Sequence, residues 1–174
     1  PGNAPELLRL LGRPFVLVTG HRRESFGGGL SAVCEGLVAL ARAYPGVDFV
    51  YPVHLNPRVQ AAVHGQLAGL GNVLLIEPVE YFTAVWLLQR CMFVITDSGG
   101  LQEEAPEFGK PVIVTRTSTE RTEGIAAGCA ALVGYDTQKL VSTARRWLDD
   151  PEAYAAASPA KNPYGDGRAA ARCV

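Results

Sequence analysis

Cys91-Met92-Phe93-Val94-Ile95-Thr96-Asp97-Ser98-Gly99-Gly100-Leu101-Gln102-Glu103-Glu104-Ala105-Pro106 is the stretch on which the fold turns. An apolar run of the kind buried on both faces of a parallel sheet, Cys91 to Ile95, passes through small polar residues into a helical pattern. The start of such a helix carries backbone N–H groups without intrahelical partners and the positive end of the helix dipole, which together make a seat for an anion. Gly99 and Gly100 have no Cβ, so a phosphate oxygen can approach the main chain, and the Ser98 hydroxyl adds a donor. Glu104, one to two turns further on, is placed to accept hydrogen bonds from both hydroxyls of a ribose. The plainer reading of the same string is a glycine turn in which Glu103 and Glu104 only complement the helix dipole.

The pattern repeats on either side of this unit. Strands are expected near Phe15 to Thr19, Asp48 to Val53, Val73 to Ile76, Phe93 to Thr96, Val112 to Thr115 and Ala130 to Val133. Helices are expected over Leu30 to Tyr44, Pro57 to Leu70, Phe82 to Arg90, Leu101 to Phe108 and Thr137 to Asp149. Asn56-Pro57 reads as an N-cap followed by proline at the first helical position, and Asp136 as the cap of the last long helix. Strand and helix in alternation imply an α/β, Rossmann-like parallel six-stranded sheet with helices on both faces, in three layers. Without repeats or low-complexity linkers the chain reads as one domain over residues 1–157. Residues 158–174 read as a tail that resumes in Arg168-Ala169-Ala170-Ala171-Arg172 as a helix crossing to another domain of a longer protein.

Composition narrows the partner. A formal net charge of -1 over 174 residues gives no reason to expect a nucleic-acid surface, and the partner is expected to be small and anionic. Cys34, Cys91, Cys129 and Cys173 lack C-x-x-C spacing, and the first three fall in apolar segments, so they read as core thiols in a reducing, cytoplasmic setting rather than as disulfides or a zinc site. No apolar run approaches the roughly 18 residues that would span a bilayer, and the N-terminal residues do not follow the pattern of a signal peptide.

In an open α/β sheet, ligands bind outside the carboxyl ends of the strands where strand order reverses. Gly20-His21-Arg22-Arg23-Glu24, His54-Leu55-Asn56, Glu77-Pro78, Asp97-Ser98-Gly99-Gly100 and Arg116-Thr117-Ser118-Thr119-Glu120-Arg121 all fall after strands and share that rim. His21 directly follows a strand beside two arginines; a neighbouring phosphate favours its imidazolium, which can donate to a departing phosphate. Against this stands a histidine that only holds its own loop. His54, ending a strand, can instead bond a neighbouring carbonyl, and Arg121 can pair with nearby glutamates instead of reaching a phosphate or sugar. Gly27-Gly28-Gly29-Leu30-Ser31-Ala32 matches G-x-G-x-x-A, but seven residues separate it from Thr19, and no acidic residue ends the second strand. The context therefore argues against a nicotinamide or flavin dehydrogenase, and no P-loop motif is present.

With these residues named, the chain resembles the non-hydrolysing UDP-N-acetylglucosamine 2-epimerases, in the C-terminal half of their two-domain, glycosyltransferase-B-like fold. The likeness rests on Thr19-Gly20-His21-Arg22-Arg23-Glu24, Pro52-Val53-His54-Leu55-Asn56-Pro57, Asp97 to Pro106, Gly109-Lys110-Pro111-Val112, Thr119-Glu120-Arg121 and Asn162-Pro163-Tyr164-Gly165-Asp166-Gly167. It implies that this half holds UDP: Ser98, Gly99 and Gly100 on the diphosphate, Glu104 on the ribose, His21 and Arg121 along the phosphate and sugar, with His21 as a phosphate-side acid. Glu77 to Phe82 resembles the family's uracil-side loop, so Val79 and Phe82 are expected beside the base, although Val79 stands where some members have glutamine and Ala84 where some have phenylalanine. Bacterial members bind a second UDP-N-acetylglucosamine as an activator near the positions of Arg22 and His54.

The resemblance further implies elimination and re-addition of UDP through a glycal-type intermediate, with no cofactor or metal. It assigns the acid/base carboxylates to an N-terminal domain outside this chain, and a homodimer to the full enzyme. The isolated chain is then expected to bind without turnover. Two other expectations compete: a glycosyltransferase or a hydrolysing relative using the same nucleotide-sugar fold, and a noncatalytic nucleotide-sensing module.

Overall fold

Short apolar runs form six parallel strands, the central ones rich in β-branched residues and buried on both faces: β1 (Phe15–Thr19), β2 (Asp48–Pro52), β3 (Val73–Ile76), β4 (Val94–Thr96), β5 (Val112–Val114) and β6 (Ala130–Leu132). The computed structural model describes residues 7–20 and 28–173. The strands hydrogen-bond in the order β3-β2-β1-β4-β5-β6, all parallel, with Val16 opposite Phe49 and Val18 opposite Ile95. Chain direction across the sheet reverses between β1 and β4. The carboxyl ends of these two strands therefore flank the crevice at which doubly wound sheets take their ligands.

The two-residue period of β1 divides the core. Val16 and Val18 face one layer with Leu37, Phe49, Tyr51, Ile95 and Trp147, while Phe15 and Leu17 face the other with Val50, Leu87, Leu88, Val94 and Val112. The first layer is covered by α1 (Gly28–Ala43), α2 (Pro57–Leu67) and the later α6 (Thr137–Asp149). Leu140, Ala144 and Trp147 of α6 lie on one side of that helix and are buried, and Trp147 meets Phe93 edge-on at 5.4 Å between ring centroids. The second layer carries α3 (Tyr81–Arg90) and α4 (Gly99–Glu104). Two further short helices, α5 (Thr122–Ala126) and α7 (Pro151–Ala157), and the terminal α8 (Ala169–Cys173) complete the described residues. The α/β, Rossmann-like three-layer architecture expected from the alternation is thus the architecture observed.

The differences from expectation have local causes. The helix expected over Leu101 to Phe108 starts two residues earlier, at Gly99, and tightens into a 3-10 turn over Ala105–Phe108. Pro106 has no N–H to continue the α ladder, and Gly109 closes the turn at φ 67, with its amide donating to the Pro106 carbonyl at 3.0 Å. The helix expected to reach Leu70 ends at Leu67, where Ala68 is extended and Gly69 takes φ 86. The caps read from the sequence are in place: Asn56 accepts from the Arg58 amide, and Asp136 from the Lys139 amide. The elements α5 and α7 and the 3-10 turn Arg9–Gly12 are additional to the expected set.

At the amino-terminal edge of the sheet, the first residue of β2, Asp48, is fully buried. It accepts from Arg9 at 3.1 Å and from Arg13 at 3.0 Å, which fastens the chain ahead of β1 to the strand ends. Cys34, Cys91 and Cys129 are buried as expected of core thiols and Cys173 is exposed. Desolvation pushes the Cys34 and Cys91 thiols up to about 12. No helix among the described residues is long and apolar enough to cross a membrane.

Candidate nucleotide site

Ser98 leaves β4 in an extended conformation and caps α4, its Oγ accepting from the Leu101 amide at 3.5 Å and its carbonyl accepting from the Gln102 amide at 3.3 Å. Cap formation takes up an Oγ lone pair and leaves the hydroxyl proton available for donation. The Ser98 amide donates to Thr96 Oγ1 at 2.9 Å. Gly99 and Gly100 occupy the first turn, where an α-helix offers no carbonyl four residues back to their amides.

Glu104 comes back onto this turn. It lies one helical turn past Gly100 on the same face, and a Cβ added to Gly100 would stand 3.8 Å from Glu104 Oε1 and 3.9 Å from Ser98 Oγ. The carboxylate and the hydroxyl therefore flank one glycine. Arg121 closes the other side: a Cβ on Gly99 would fall 2.8 Å from the Arg121 Cζ, so the guanidinium rests against the glycine Cα. A cation beside the positive end of a helix is unfavourable unless carboxylates hold it. Here Glu103 accepts from Arg121 Nε at 2.8 Å and Glu120 from Arg121 Nη1, and Glu120 also accepts from Arg116 at 3.0 Å. The Glu120 carboxyl is held below the usual carboxylate range, chiefly by a hydrogen bond from its own amide and then by the two arginines, against some desolvation.

Ser98, Gly99, Gly100, Glu104 and Arg121 are thus brought together at the carboxyl end of β4. The arginine that the sequence left divided between glutamates and a ligand does pair with glutamates, and that pairing is what sets it on Gly99.

Beside this turn lies a cleft of about 220 Å³ opening at the strand ends. Its rim comes from Thr19 and Gly20 at the end of β1, Pro52 and His54 at the end of β2, Pro78 and Val79 after β3, and Ser98 after β4. Leu17, Ala84, Leu87 and Leu101 make apolar walls. Val79 therefore sits in the cleft. Phe82 does not: it is 85% exposed on the first turn of α3 and lines a different groove with Leu7, Leu8, Leu11 and Trp86. The aromatic surface expected beside a base is not among the residues of the cleft.

His54 is exposed, and its Nδ1 accepts from the Asn56 amide at 3.1 Å. That bond directs the Nδ1 lone pair at a main-chain amide, which leaves Nε2 to carry the proton of the neutral ring. His21 and Arg22 lie outside the described residues. The floor under Gly20 is nevertheless defined, because Tyr51 Oη donates to the Gly20 carbonyl at 3.2 Å and a Cβ on Gly20 would come within 2.8 Å of that oxygen. Burial pushes the Tyr51 phenol well above its ordinary value, so it remains a donor.

Sequence reasoning passed over the residues that brace this site. Gln102 is fully buried, and Thr119 Oγ1 donates to its Oε1 at 2.8 Å. From the outside, Tyr164 Oη donates to the Arg121 carbonyl at 3.3 Å and accepts from the Gly124 amide at 3.2 Å, while Asn162 Nδ2 donates to the Glu103 carbonyl at 3.1 Å. The Asn162-to-Gly167 string is therefore a buttress laid over α4 and the Arg121 loop. Its signal in the sequence was the motif itself, and the signal for Gln102 was a polar residue four positions after an N-cap serine.

The UDP-N-acetylglucosamine 2-epimerase family model matches residues 3–174. The probable UDP-N-acetylglucosamine 2-epimerase of Ralstonia solanacearum is 54% identical over 160 residues, covering 92% of this chain and 43% of that protein. The Neisseria meningitidis UDP-GlcNAc 2-epimerase, solved with UDP-GlcNAc bound, superposes with TM-score 0.89 at 42% identity over 92% of this chain and 43% of its own. The Staphylococcus aureus MnaA–UDP structure superposes with TM-score 0.91 at 37% identity over 96% of this chain and 46% of its own. The chain thus spans under half the length of these relatives, matching one half of their glycosyltransferase-B-like architecture. A family model matched over residues 3–174, with 54% identity to a relative over 92% of the chain, places this chain in the UDP-N-acetylglucosamine 2-epimerase family.

Proposed function

We propose that this chain is the UDP-holding half of an enzyme that interconverts UDP-N-acetylglucosamine and its manno epimer. The observation that carries this reading is the convergence of Ser98, Gly99, Gly100, Glu104 and Arg121 at the β1/β4 crossover. It is supported by relatives solved with UDP-GlcNAc and with UDP. The diphosphate lies on the first turn of α4, receiving the Gly99 and Gly100 amides, the Ser98 proton and the Arg121 guanidinium. The ribose hydroxyls donate to Glu104, and the base enters the apolar cleft beside Val79. His21 acts on the phosphate side, and Arg22 and His54 serve a second, regulatory nucleotide-sugar.

In the reaction, UDP leaves with the C1–O bond electrons as the C2 proton is removed, giving a glycal-type intermediate, and then adds back after reprotonation on the opposite face. The residues of this chain hold the leaving diphosphate and stabilise its charge with preorganised donors. The carboxylates that exchange the C2 proton belong to a partner domain, so this chain by itself binds UDP and does not turn over substrate. Epimer formation by the chain alone, at a rate comparable with a full-length relative, would refute that division of labour. Calorimetric titration with UDP tests the site: Ser98→Ala and Glu104→Ala should each weaken binding by about 1.5 to 3 kcal/mol, the cost of losing a charge-assisted hydrogen bond. Wild-type affinity in both variants would move the nucleotide elsewhere.

A further inference from the structure

Gln102 is fully buried, an environment that glutamine seldom occupies unless every polar atom is matched. Its Nε2 lies 3.1 Å from the Ser98 carbonyl and its Oε1 2.8 Å from Thr119 Oγ1. A carbonyl can only accept, so the amide nitrogen must face Ser98, and this leaves Oε1 to accept from the Thr119 hydroxyl. Thr119 Oγ1 in turn accepts from the Arg121 amide at 3.1 Å. The result is a one-way chain: Arg121 N–H to Thr119 O–H to the Gln102 carbonyl, then Gln102 N–H to the Ser98 carbonyl. Bonds in such a chain polarise one another in the same sense.

The two ends of the chain are the Ser98 turn after β4 and the Arg121 loop after β5, the segments that carry the donors of the anion seat. The carboxamide offers a donor and an acceptor on one short planar group, and neither an ionised glutamate nor a leucine can make both links. We propose that Gln102 is the positioning residue of this site, fixing the spacing between the Ser98-Gly99 turn and the Arg121 loop so that both meet one diphosphate. Gln102 touches no ligand; it acts through Ser98 and Thr119. This inference rests on the reading of the site as a UDP seat.

The test has a ligand-free arm and a UDP arm, using this chain with Gln102→Leu, Thr119→Val and Thr119→Ser. Without ligand, Gln102→Leu and Thr119→Val should speed hydrogen exchange at the Arg121 amide and shift the Gly99 and Gly100 amide resonances, while Val94 in the sheet stays as in wild type. Titrated with UDP, Thr119→Val should bind about tenfold more weakly. Thr119→Ser, which keeps the hydroxyl, should bind as wild type does. The double variant Gln102→Leu/Thr119→Val should be no weaker than Gln102→Leu alone, because both changes cut one chain. Unaltered exchange and resonances in Thr119→Val would overturn the coupling whether or not UDP binds. Absence of UDP binding to wild type would overturn the nucleotide reading while the ligand-free arm still judges the coupling. Wild-type affinity in Thr119→Val would overturn the positioning role, and that variant decides the matter if Gln102→Leu does not fold.

Discussion

Gly99 has two physical duties that pull apart under substitution. As a helix residue it is poorer than alanine by about 0.5 to 1 kcal/mol, yet its missing Cβ is what admits the Arg121 guanidinium. Gly99→Ala should therefore unfold in urea at an equal or higher midpoint, because the obstructing atoms belong to the far end of a flexible side chain. Its affinity for UDP should nonetheless fall about tenfold as Arg121 is pushed off the turn. A variant that lost stability and affinity together would show the guanidinium to be locked in place. At this scale Ser98, Gly99, Gly100 and Glu104 were legible in the sequence because they are contiguous and helix geometry places Glu104 over Gly100. Arg121 was legible as a rim residue, but not its seat on Gly99, which depends on Glu103 from α4 as well as on its neighbour Glu120. Phe82 was misplaced for a related reason. Three residues beyond Val79, the chain has entered α3, and the helix carries its ring to a different groove.

Among the elements, the strands were legible because buried parallel strands are apolar on both faces, and the long helices because of their caps and their one-sided burial. The five-residue α5 was not, being too short to show a helical period. Its position is set instead by tertiary contacts, above all by Tyr164, whose hydroxyl bridges the Arg121 carbonyl and the Gly124 amide. Burial raises the Tyr164 pKa, with the Gly124 amide opposing, so the phenol keeps its proton for that carbonyl. Tyr164→Phe keeps the ring and removes both bonds. It should lower stability by about 1 to 2 kcal/mol in urea denaturation, with the loss of exchange protection concentrated in α5. Protection lost evenly across the sheet would mean that the tail supports the whole core rather than this loop.

For the molecule as a whole, the order of strands could be expected only as a class, since short apolar strands do not announce which neighbours they choose. The sheet places its reversal between β1 and β4, and the polar segments after those strands fall at the crevice for that reason. A second global property follows from burial. The Cys34 and Cys91 thiols, and the Tyr44 phenol, are all raised to about 12, the thiols chiefly by desolvation and Tyr44 by desolvation together with Asp149. A group raised in the folded state contributes stability that is complete below its unfolded value and is lost as pH climbs through the folded one. With the unfolded thiols at 9.0, the urea midpoint should hold steady below pH 9 and decline from there towards pH 12. A midpoint unchanged across that window would show the thiols to be accessible to water.

Arg9 and Arg13 converge on Asp48 at the amino-terminal ends of the strands, opposite the crossover crevice. Force transmitted along the backbone into β1 from residues before it is thereby grounded in β2, a strand's length from the carboxyl ends at which the proposed anion seat lies. The clasp works as a strain relief, and tugging at that lead should leave the proposed diphosphate seat undisturbed.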